Sequence, residues 1–205
     1  MFGDLWPVVA VVLIHIGAHT GNNIDVDLEI TGAQVSGLLN VLIDGNNTSG
    51  SLEDIYISLD GAFGVDLSGW TFANWGGQGD RIWIYGDNSP IGLNETITGS
   101  TEYDRIHAYA GDDTINAGEG DDYIVAGAGA DVVNGGLGTD TLSFVGASAA
   151  VELSLLSGGT AGDATGDTYS SIEIVQGSSY DDVLTGSAAA DTLNGNNGDD
   201  TLNGG

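Results

Sequence analysis

The feature that most constrains the fold of this chain is an aspartate that recurs every nine residues. Between residues 110 and 140 the aspartates stand at positions 113, 122, 131 and 140, and a glycine lies two residues before each of them. Written as nine positions with aspartate sixth and a large aliphatic residue eighth, the unit occurs five times without a gap from residue 99 to residue 143. Three more units start at residue 177, and the final glycine pair would open a ninth, so we expect the array to continue beyond residue 205. Repetition at a fixed short period indicates a solenoid in which each unit is one structural step.

Each unit combines a glycine-rich half with a three-residue half of the form x-aliphatic-x. Three residues form only a short β-strand, in which the middle side chain faces one side and its neighbours face the other. The middle residues are all aliphatic, and they are Ile106, Ile115, Ile124, Val133, Leu142, Leu184, Leu193 and Leu202. One such side chain per unit cannot form a core, whereas stacked units bury a continuous column. Because the glycine-rich half reverses the chain, two units make one coil, and the sequence predicts an all-β, right-handed parallel β-roll, that is, a β-solenoid.

The chain divides into five segments by sequence type. They are an N-terminal β-rich segment of unassigned role (1–64), a spacer of irregular turns (65–98), the first repeat block (99–143), a second irregular spacer (144–176) and the second block (177–205). In the N-terminal segment, the alternating stretches 24–30 and 54–60 predict half-buried strands. The apolar run 5–16 is too short to span a bilayer and contains Pro7, so we expect a buried strand there and no transmembrane segment.

The charge balance excludes several classes of partner and site. The chain carries 30 aspartate and glutamate residues against two arginines and no lysine, which gives a formal net charge of −28. Nucleic-acid binding requires basic patches, so the composition argues against DNA and RNA as partners. The absence of cysteine excludes disulfides and thiolate metal sites. His15 and His19 stand four residues apart without the glutamate of the zinc-protease motif, and we find no catalytic constellation.

In such a coil the repeat aspartates would stack in columns, because residues one full coil apart lie above one another at roughly 4.8 Å. The predicted columns hold Asp104, Asp122 and Asp140 on one edge, Asp113 and Asp131 with Glu95 in phase on the other, and Asp182 with Asp200 in the second block. Two carboxylates at that distance repel by roughly 3–4 kcal/mol at an effective dielectric constant near 20. The columns therefore require neutralisation.

Among cations, Ca²⁺ fits these residues best. It accepts about six to eight oxygen ligands and tolerates mixtures of carboxylates and carbonyls, which a turn rich in glycine and aspartate offers. Mg²⁺ demands a tighter octahedron, and zinc would require His or Cys, which the repeats nearly lack. The alternative is a metal-free solenoid in which glycine and aspartate are only good turn residues. That alternative does not explain an aspartate in phase in every unit beside so few basic residues.

The unit at residues 135–143, GGLGTDTLS, matches every specified position of the nonapeptide G-G-x-G-x-D-x-U-x, and the two blocks resemble the RTX, or haemolysin-type, calcium-binding repeats. The resemblance covers the spacers loosely and residues 1–64 not at all. It implies several Ca²⁺ ions between neighbouring turns, held by sixth-position aspartates and by backbone carbonyls of the glycine-rich half. The implied carboxylate ligands are Asp104, Asp113, Asp122, Asp131, Asp140, Asp182, Asp191 and Asp200. The implied carbonyl donors are Gly111, Gly118, Gly120, Gly127, Gly129, Gly136, Gly138 and Gly198.

Some units depart from the pattern, which weakens the implied sites in their loops. Glu102, Tyr180 and Ala189 replace the glycine two residues before the aspartate, and Tyr109 replaces another glycine. A second acidic residue stands at the fifth position of four units, where we expect a solvated charge rather than a ligand. These residues are Asp112, Asp121, Asp181 and Asp199.

The resemblance implies a non-enzymatic, calcium-binding segment of a secreted, extracellular bacterial protein. Such a segment would stay unfolded in the low-calcium cytoplasm, pass through export machinery of the type I kind and fold outside the cell. Two alternatives stay open: the C-terminal part of a secreted hydrolase, protease or toxin, and a calcium-dependent spacer of an adhesin or surface layer. No feature of the sequence indicates an oligomeric state.

Overall fold

The computed structural model describes residues 24–31, 42–44, 53–60, 64–69, 71–73, 81–88 and 92–205. The apolar run 5–16 and both His15 and His19 lie outside these residues. The described strands are, in chain order, β1 (Ile24–Thr31), β2 (Leu42–Asp44), β3 (Glu53–Asp60), β4 (Gly64–Asp66), β5 (Thr71–Ala73), β6 (Arg81–Tyr85), β7 (Thr96–Thr98), β8 (Asp104–His107), β9 (Thr114–Glu119), β10 (Tyr123–Val125), β11 (Val132–Leu137), β12 (Thr141–Ser143), β13 (Glu152–Ser154), β14 (Gly158–Ala161), β15 (Thr168–Ser170), β16 (Ile174–Gln176), β17 (Val183–Thr185), β18 (Thr192–Asn194) and β19 (Thr201–Asn203). A 3-10 helix, Gly162–Ala164, is the one helical element in the described ranges. No helix in this part of the chain is long and apolar enough to cross a membrane.

The strands form stacked parallel sheets, which confirms the predicted all-β roll. One sheet has eight strands in the order β1-β3-β6-β8-β10-β12-β16-β18. Facing strands form a five-stranded sheet, β15-β11-β9-β7-β4, and a four-stranded sheet, β14-β13-β17-β19. Among the described strands, pairing is parallel except between β13 and β14, which form an antiparallel pair. Within the repeat blocks successive strands alternate between the two sides, as expected when each glycine-rich half reverses the chain.

The register has the predicted two-unit period. Ile106 of β8 pairs with Ile124 of β10, and Ile124 pairs with Leu142 of β12. On the facing side, Ile115 of β9 pairs with Val133 of β11. The two residues of each pair lie two nonapeptides apart in the sequence, so one coil consists of two units.

The core is the column of aliphatic residues from the eighth position. Six of the eight middle residues are buried: Ile106, Ile115, Ile124, Val133, Leu142 and Leu184. Burying one such side chain contributes about 1.5–3 kcal/mol, so the column as a whole is a substantial source of stability. Leu193 is only partly buried, and Leu202 of the terminal strand β19 is 47% exposed. The column therefore depends on each turn being covered by the next.

Strands outside the nonapeptide blocks extend the same sheets. Strand β3 pairs with β6 and β6 with β8, so the eight-stranded sheet passes from the N-terminal segment into the first block. Strands β1 and β3 confirm the two strands predicted from alternation, and Ile55, Ile57 and Leu59 of β3 are buried. In the second spacer, β15 pairs with β11 and β16 with β12.

Candidate metal centre

A column of acidic residues lies along one edge of the β-roll, at the end where the strands of the eight-stranded sheet begin. Each of these residues stands at the start of a strand or directly before it, and in all but the last the backbone N–H donates to the carboxylate of the next residue in the column. Asp104 N–H donates to Asp122 Oδ1 at 2.8 Å, and Asp122 N–H donates to Asp140 Oδ1 at 2.9 Å. The column continues with a residue of the spacer, because Asp140 N–H donates to Glu173 Oε2 at 2.9 Å. We call Asp104, Asp122, Asp140 and Glu173 the first ladder.

A second column lies along the other edge of the β-roll, at the end where the strands of the five-stranded sheet begin. Glu95 N–H donates to Asp113 Oδ1 at 2.8 Å, and Asp113 N–H donates to Asp131 Oδ1 at the same distance. The spacer again supplies the last member, because Asp131 N–H donates to Asp167 Oδ1 at 2.8 Å. We call Glu95, Asp113, Asp131 and Asp167 the second ladder. The structure thus brings five of the predicted carboxylate ligands into two columns, in the stacking order that the repeat period predicts.

Sequence reasoning missed Asp167 and Glu173 as members of these ladders. Each directly precedes a strand, as the repeat aspartates do: Asp167 comes before β15 and Glu173 before β16. Asp167 is in phase with the repeat, since it stands three repeat lengths after Asp140, and this was the signal available in the sequence. Glu173 is out of phase, so its position is decided by the path of the spacer.

The ladder carboxylates are buried, and most have one oxygen without a partner. Seven of them are no more than 2% exposed: Asp167 and the six residues Glu95, Asp104, Asp113, Asp122, Asp131 and Asp140. In each of the six, one buried oxygen lacks any hydrogen-bond donor; the atoms are Glu95 Oε2, Asp104 Oδ1, Asp113 Oδ2, Asp122 Oδ2, Asp131 Oδ2 and Asp140 Oδ2. An ionised oxygen removed from water without compensation is costly. These atoms therefore require a cation or a proton.

Burial raises the pKa of these carboxyl groups, because the charged form loses its hydration. The pKa rises to about 7 for Asp104 and Asp131 and to about 8 for Asp122 and Glu95. At Asp122 the charges of Asp104 and Asp140 add to the effect of burial. In the absence of a cation, the folded chain therefore holds protons that an unfolded chain releases.

These shifts give a prediction for calcium-free protein. Between about pH 4, where an unfolded carboxyl titrates, and about pH 8, the folded chain binds more protons than the unfolded chain. Stability therefore falls as pH rises through this window, and β-structure in calcium-free buffer should be greater at about pH 5 than at about pH 8. Far-ultraviolet circular dichroism in metal-depleted buffers measures this, and a β-signal that is flat or rises with pH would contradict it. A matched series in calcium should show a weaker pH dependence, because the ion then replaces the proton.

The glycine-rich turns stack with carbonyl oxygens against glycines. The carbonyls of Gly111, Gly118 and Gly120 lie where a side chain on Gly129, Gly136 or Gly138 of the next turn would begin. Gly127 and Gly198 face the carbonyls of Tyr109 and Tyr180 in the same way. Gly138 shows the requirement most clearly, since its φ of +143° and the adjacent Gly120 carbonyl both exclude a side chain. All eight predicted carbonyl donors lie on glycines that face a carbonyl of the preceding turn, and the carbonyls of three of them, Gly111, Gly118 and Gly120, in turn face a glycine of the next turn.

At three of the predicted aspartates, a serine four residues earlier donates hydrogen bonds to the carboxylate. Asp182 accepts hydrogen bonds from Ser178 N–H at 2.6 Å, from the Ser178 hydroxyl at 2.7 Å and from Val151 N–H at 2.8 Å, so both its oxygens have donors. Asp191 is held in the same way by Ser187. Ser100 binds Oδ2 of Asp104 and leaves Oδ1 without a donor. Asp182 and Asp191 each accept three hydrogen bonds, which leaves less of their carboxylates free for a cation than at Asp104, whose Oδ1 has no donor.

Asp200 and the fifth-position acids occupy more open positions. Asp200 Oδ1 accepts Asp182 N–H at 2.9 Å, which confirms the stacking predicted in the second block, but Asp200 is only half-buried. All four fifth-position acids are exposed, as expected. Asp112 and Asp121 nonetheless accept N–H groups of the following turn, from Ala130 at 3.0 Å and Thr139 at 2.8 Å.

The donor set suits a hard cation. Within the described ranges, no group of three or more His, Cys, Asp or Glu side chains converges on one point. A cation bound by the ladders would therefore combine one or two carboxylates with backbone carbonyls, and Ca²⁺ accepts such mixed oxygen ligands. The Arg105 guanidinium group lies over the rings of Trp83 and Tyr123, 4.9 and 4.3 Å from their centroids, and stands outside both ladders.

Comparison with known protein families finds the RTX calcium-binding nonapeptide repeat in four copies, over residues 92–124, 109–142 and 176–205. The match begins before residue 99, where the first block was expected to start, and it takes in Glu95 of the second ladder. Neither a curated protein nor a solved structure matches the chain. The matched residues include every ladder residue except Asp167 and Glu173 of the spacer. Residues 92–142 and 176–205 of this chain therefore belong to the RTX family of calcium-binding repeats, and they form a calcium-binding β-roll segment.

Proposed function

We propose that this β-roll segment is a calcium-dependent folding unit of a secreted bacterial protein, and that its role is not catalytic. The observation that carries the proposal is the set of buried carboxylate oxygens without donors in the two ladders. Those oxygens oppose folding while they are ionised, and bound Ca²⁺ would convert them into a source of stability. The fold then depends on the calcium concentration around the protein.

The residues of the first block would hold the ions. Asp104, Asp122 and Asp140 would serve one edge, and Asp113 and Asp131 the other. Carbonyls such as those of Gly111, Gly118 and Gly120 would complete the oxygen set between turns. The ion would supply positive charge between carboxylates that otherwise repel one another. Any ligand that binds only the folded state stabilises it by mass action, so each ion adds RT ln(1 + [Ca²⁺]/Kd) to the free energy of unfolding.

Folding that depends on calcium suits a protein that is secreted. RTX repeats typically occur in secreted proteins, which supports an extracellular location for this chain. Cytoplasmic calcium is low, so the acidic array would remain unfolded and able to pass through export machinery. Millimolar calcium outside the cell would then fold it. The net charge of −28 supports the same order of events, because self-repulsion keeps the uncomplexed chain expanded.

Isothermal titration calorimetry tests the binding itself. At neutral pH and roughly physiological ionic strength, we expect several Ca²⁺ ions per chain with dissociation constants between about 1 μM and 1 mM. Mg²⁺ at the same concentration should bind far more weakly, because it keeps its water ligands and requires an octahedron that stacked turns do not provide. The absence of saturable Ca²⁺ binding, or equal binding of the two ions, would refute the proposal.

A further inference from the structure

The second spacer returns to the β-roll at the end of both ladders. Strand β15 pairs with β11, and strand β16 pairs with β12, so the spacer covers the last turn of the first block on both sides. Asp167 directly precedes β15, and Glu173 directly precedes β16. The residues between them are too few for another nonapeptide. The spacer therefore places a carboxylate at each ladder end without containing a complete repeat.

The hydrogen bonds at these ends repeat those inside the ladders. Asp167 Oδ1 accepts Asp131 N–H at 2.8 Å, and Glu173 Oε2 accepts Asp140 N–H at 2.9 Å. The pairs within the repeats have distances of 2.8 to 2.9 Å. The backbone hydrogen bonds that run in the opposite direction also match those inside the repeats. Thr168 N–H donates to the Asp131 carbonyl at 2.8 Å, and Ile174 N–H donates to the Asp140 carbonyl at 2.9 Å. The spacer acids thus occupy the positions that another turn of the repeat would fill.

Two buried atoms at these ends lack donors. Asp131 is 1% exposed and Asp140 is fully buried, and Oδ2 of each has no hydrogen-bond partner. The space beside Asp140 is also lined by the spacer. A methyl group on Gly135 would lie 2.6 Å from Asp140 Oδ2 and would overlap the carbonyl oxygen of Ser171. Ser171 itself adopts a φ of +52°, a conformation that non-glycine residues rarely adopt.

We propose that the second spacer supplies the terminal ligands of both ladders. On one edge Asp167 and Asp131 complete a divalent-cation site, and on the other Glu173 and the Ser171 carbonyl complete a site with Asp140. The oxygen ligands indicate Ca²⁺ rather than a softer metal. This inference rests on the proposed function, since it extends the same array by one site at each edge. The rival interpretation is that Asp167 and Glu173 only cap the N–H groups of Asp131 and Asp140.

Substitution by the matching amide separates the two interpretations. In Asp167→Asn the amide oxygen still accepts Asp131 N–H, and the new NH₂ group faces the Tyr169 hydroxyl, which donates to Asp167 Oδ2 at 3.0 Å in the wild type. Glu173→Gln likewise keeps an acceptor for Asp140 N–H. Each substitution removes the charge of a cation ligand and preserves the cap. The spacer provides matched controls in Asp163→Asn and Glu152→Gln, whose carboxylates belong to neither ladder.

The readout is the number of Ca²⁺ ions bound to the folded chain at saturation, measured by native mass spectrometry and by calorimetry. We expect one ion fewer in Asp167→Asn, one fewer in Glu173→Gln, two fewer in the double variant, and the wild-type number in both controls. The wild-type number in the amide variants would overturn the inference and leave the residues as caps. A wild-type chain that binds no calcium would instead overturn the proposed function.

Variants that retain a carboxylate decide the case in which an amide variant does not fold. Asp167→Glu and Glu173→Asp keep the charge but change the length of the side chain. If they fold in calcium with the wild-type ion count while the amides do not fold, the charged ligand is required, as the inference states. If they also fail to fold, the requirement is one of packing, and the inference is overturned.

Discussion

In a solution of EDTA at neutral pH, the repeat region is expected to be largely disordered, and Ca²⁺ added to roughly the millimolar range is expected to fold it cooperatively. The reason is the electrostatics of the ladders. Neighbouring carboxylates at the strand spacing repel by about 3–4 kcal/mol at an effective dielectric constant near 20, and each ladder of four contains three such neighbours. If every carboxylate stayed ionised, the two ladders together would oppose folding by more than the usual net stability of a domain, about 5–15 kcal/mol, and protonating them at neutral pH instead also costs free energy.

Far-ultraviolet circular dichroism during a calcium titration is the measurement. The β-sheet signal should appear over a narrow range of calcium concentration, since each turn is buried only when the next one covers it. Sodium chloride at equal ionic strength is the control for general screening, and Mg²⁺ is the control for divalent charge. A β-sheet spectrum that is the same in EDTA and in calcium would show that the ladders do not need an ion.

Replacing Asp122 by asparagine is expected to raise the calcium concentration at the folding midpoint by about tenfold or more. A tenfold change corresponds to a loss of about 1.4 kcal/mol in calcium-binding free energy. Asp122 lies inside the first ladder: its Oδ1 accepts Asp104 N–H, its N–H donates to Asp140, and its Oδ2 has no donor. Asparagine keeps an oxygen for Asp104 N–H, so the substitution removes a charged ligand and keeps the hydrogen bond. The calcium-free chain should become no less structured, because one source of repulsion is also removed.

The neighbouring residue provides the matched control. Asp121 is exposed, and its Oδ1 accepts Thr139 N–H at 2.8 Å. Asp121→Asn removes the same formal charge one residue away and should move the midpoint by less than about twofold, because an exposed charge is screened by salt. Equal shifts in the two variants would mean that only net charge matters, and would count against specific ligation by Asp122.

The sequence determined the repeating part of this structure. A nine-residue period with one aliphatic residue and one aspartate permits few arrangements, because each short strand must be covered by the next turn. The pairing of Ile106 with Ile124 and the Asp104, Asp122 and Asp140 column both follow from that period. The alternation in residues 54–60 likewise determined which side chains of β3 are buried.

Only the tertiary structure decided how the first ladder ends and which aspartates have other donors. Glu173 reaches its position because the spacer carries an antiparallel β13–β14 pair and a 3-10 helix before it returns to the sheet, and this path is not periodic. Ser178 and Ser187 bind Asp182 and Asp191 within single turns, which a repeat pattern that records only glycine and aspartate does not reveal. Periodicity determines which residues lie one coil apart, whereas the donors around a given carboxylate depend on side chains and loop paths that differ from turn to turn.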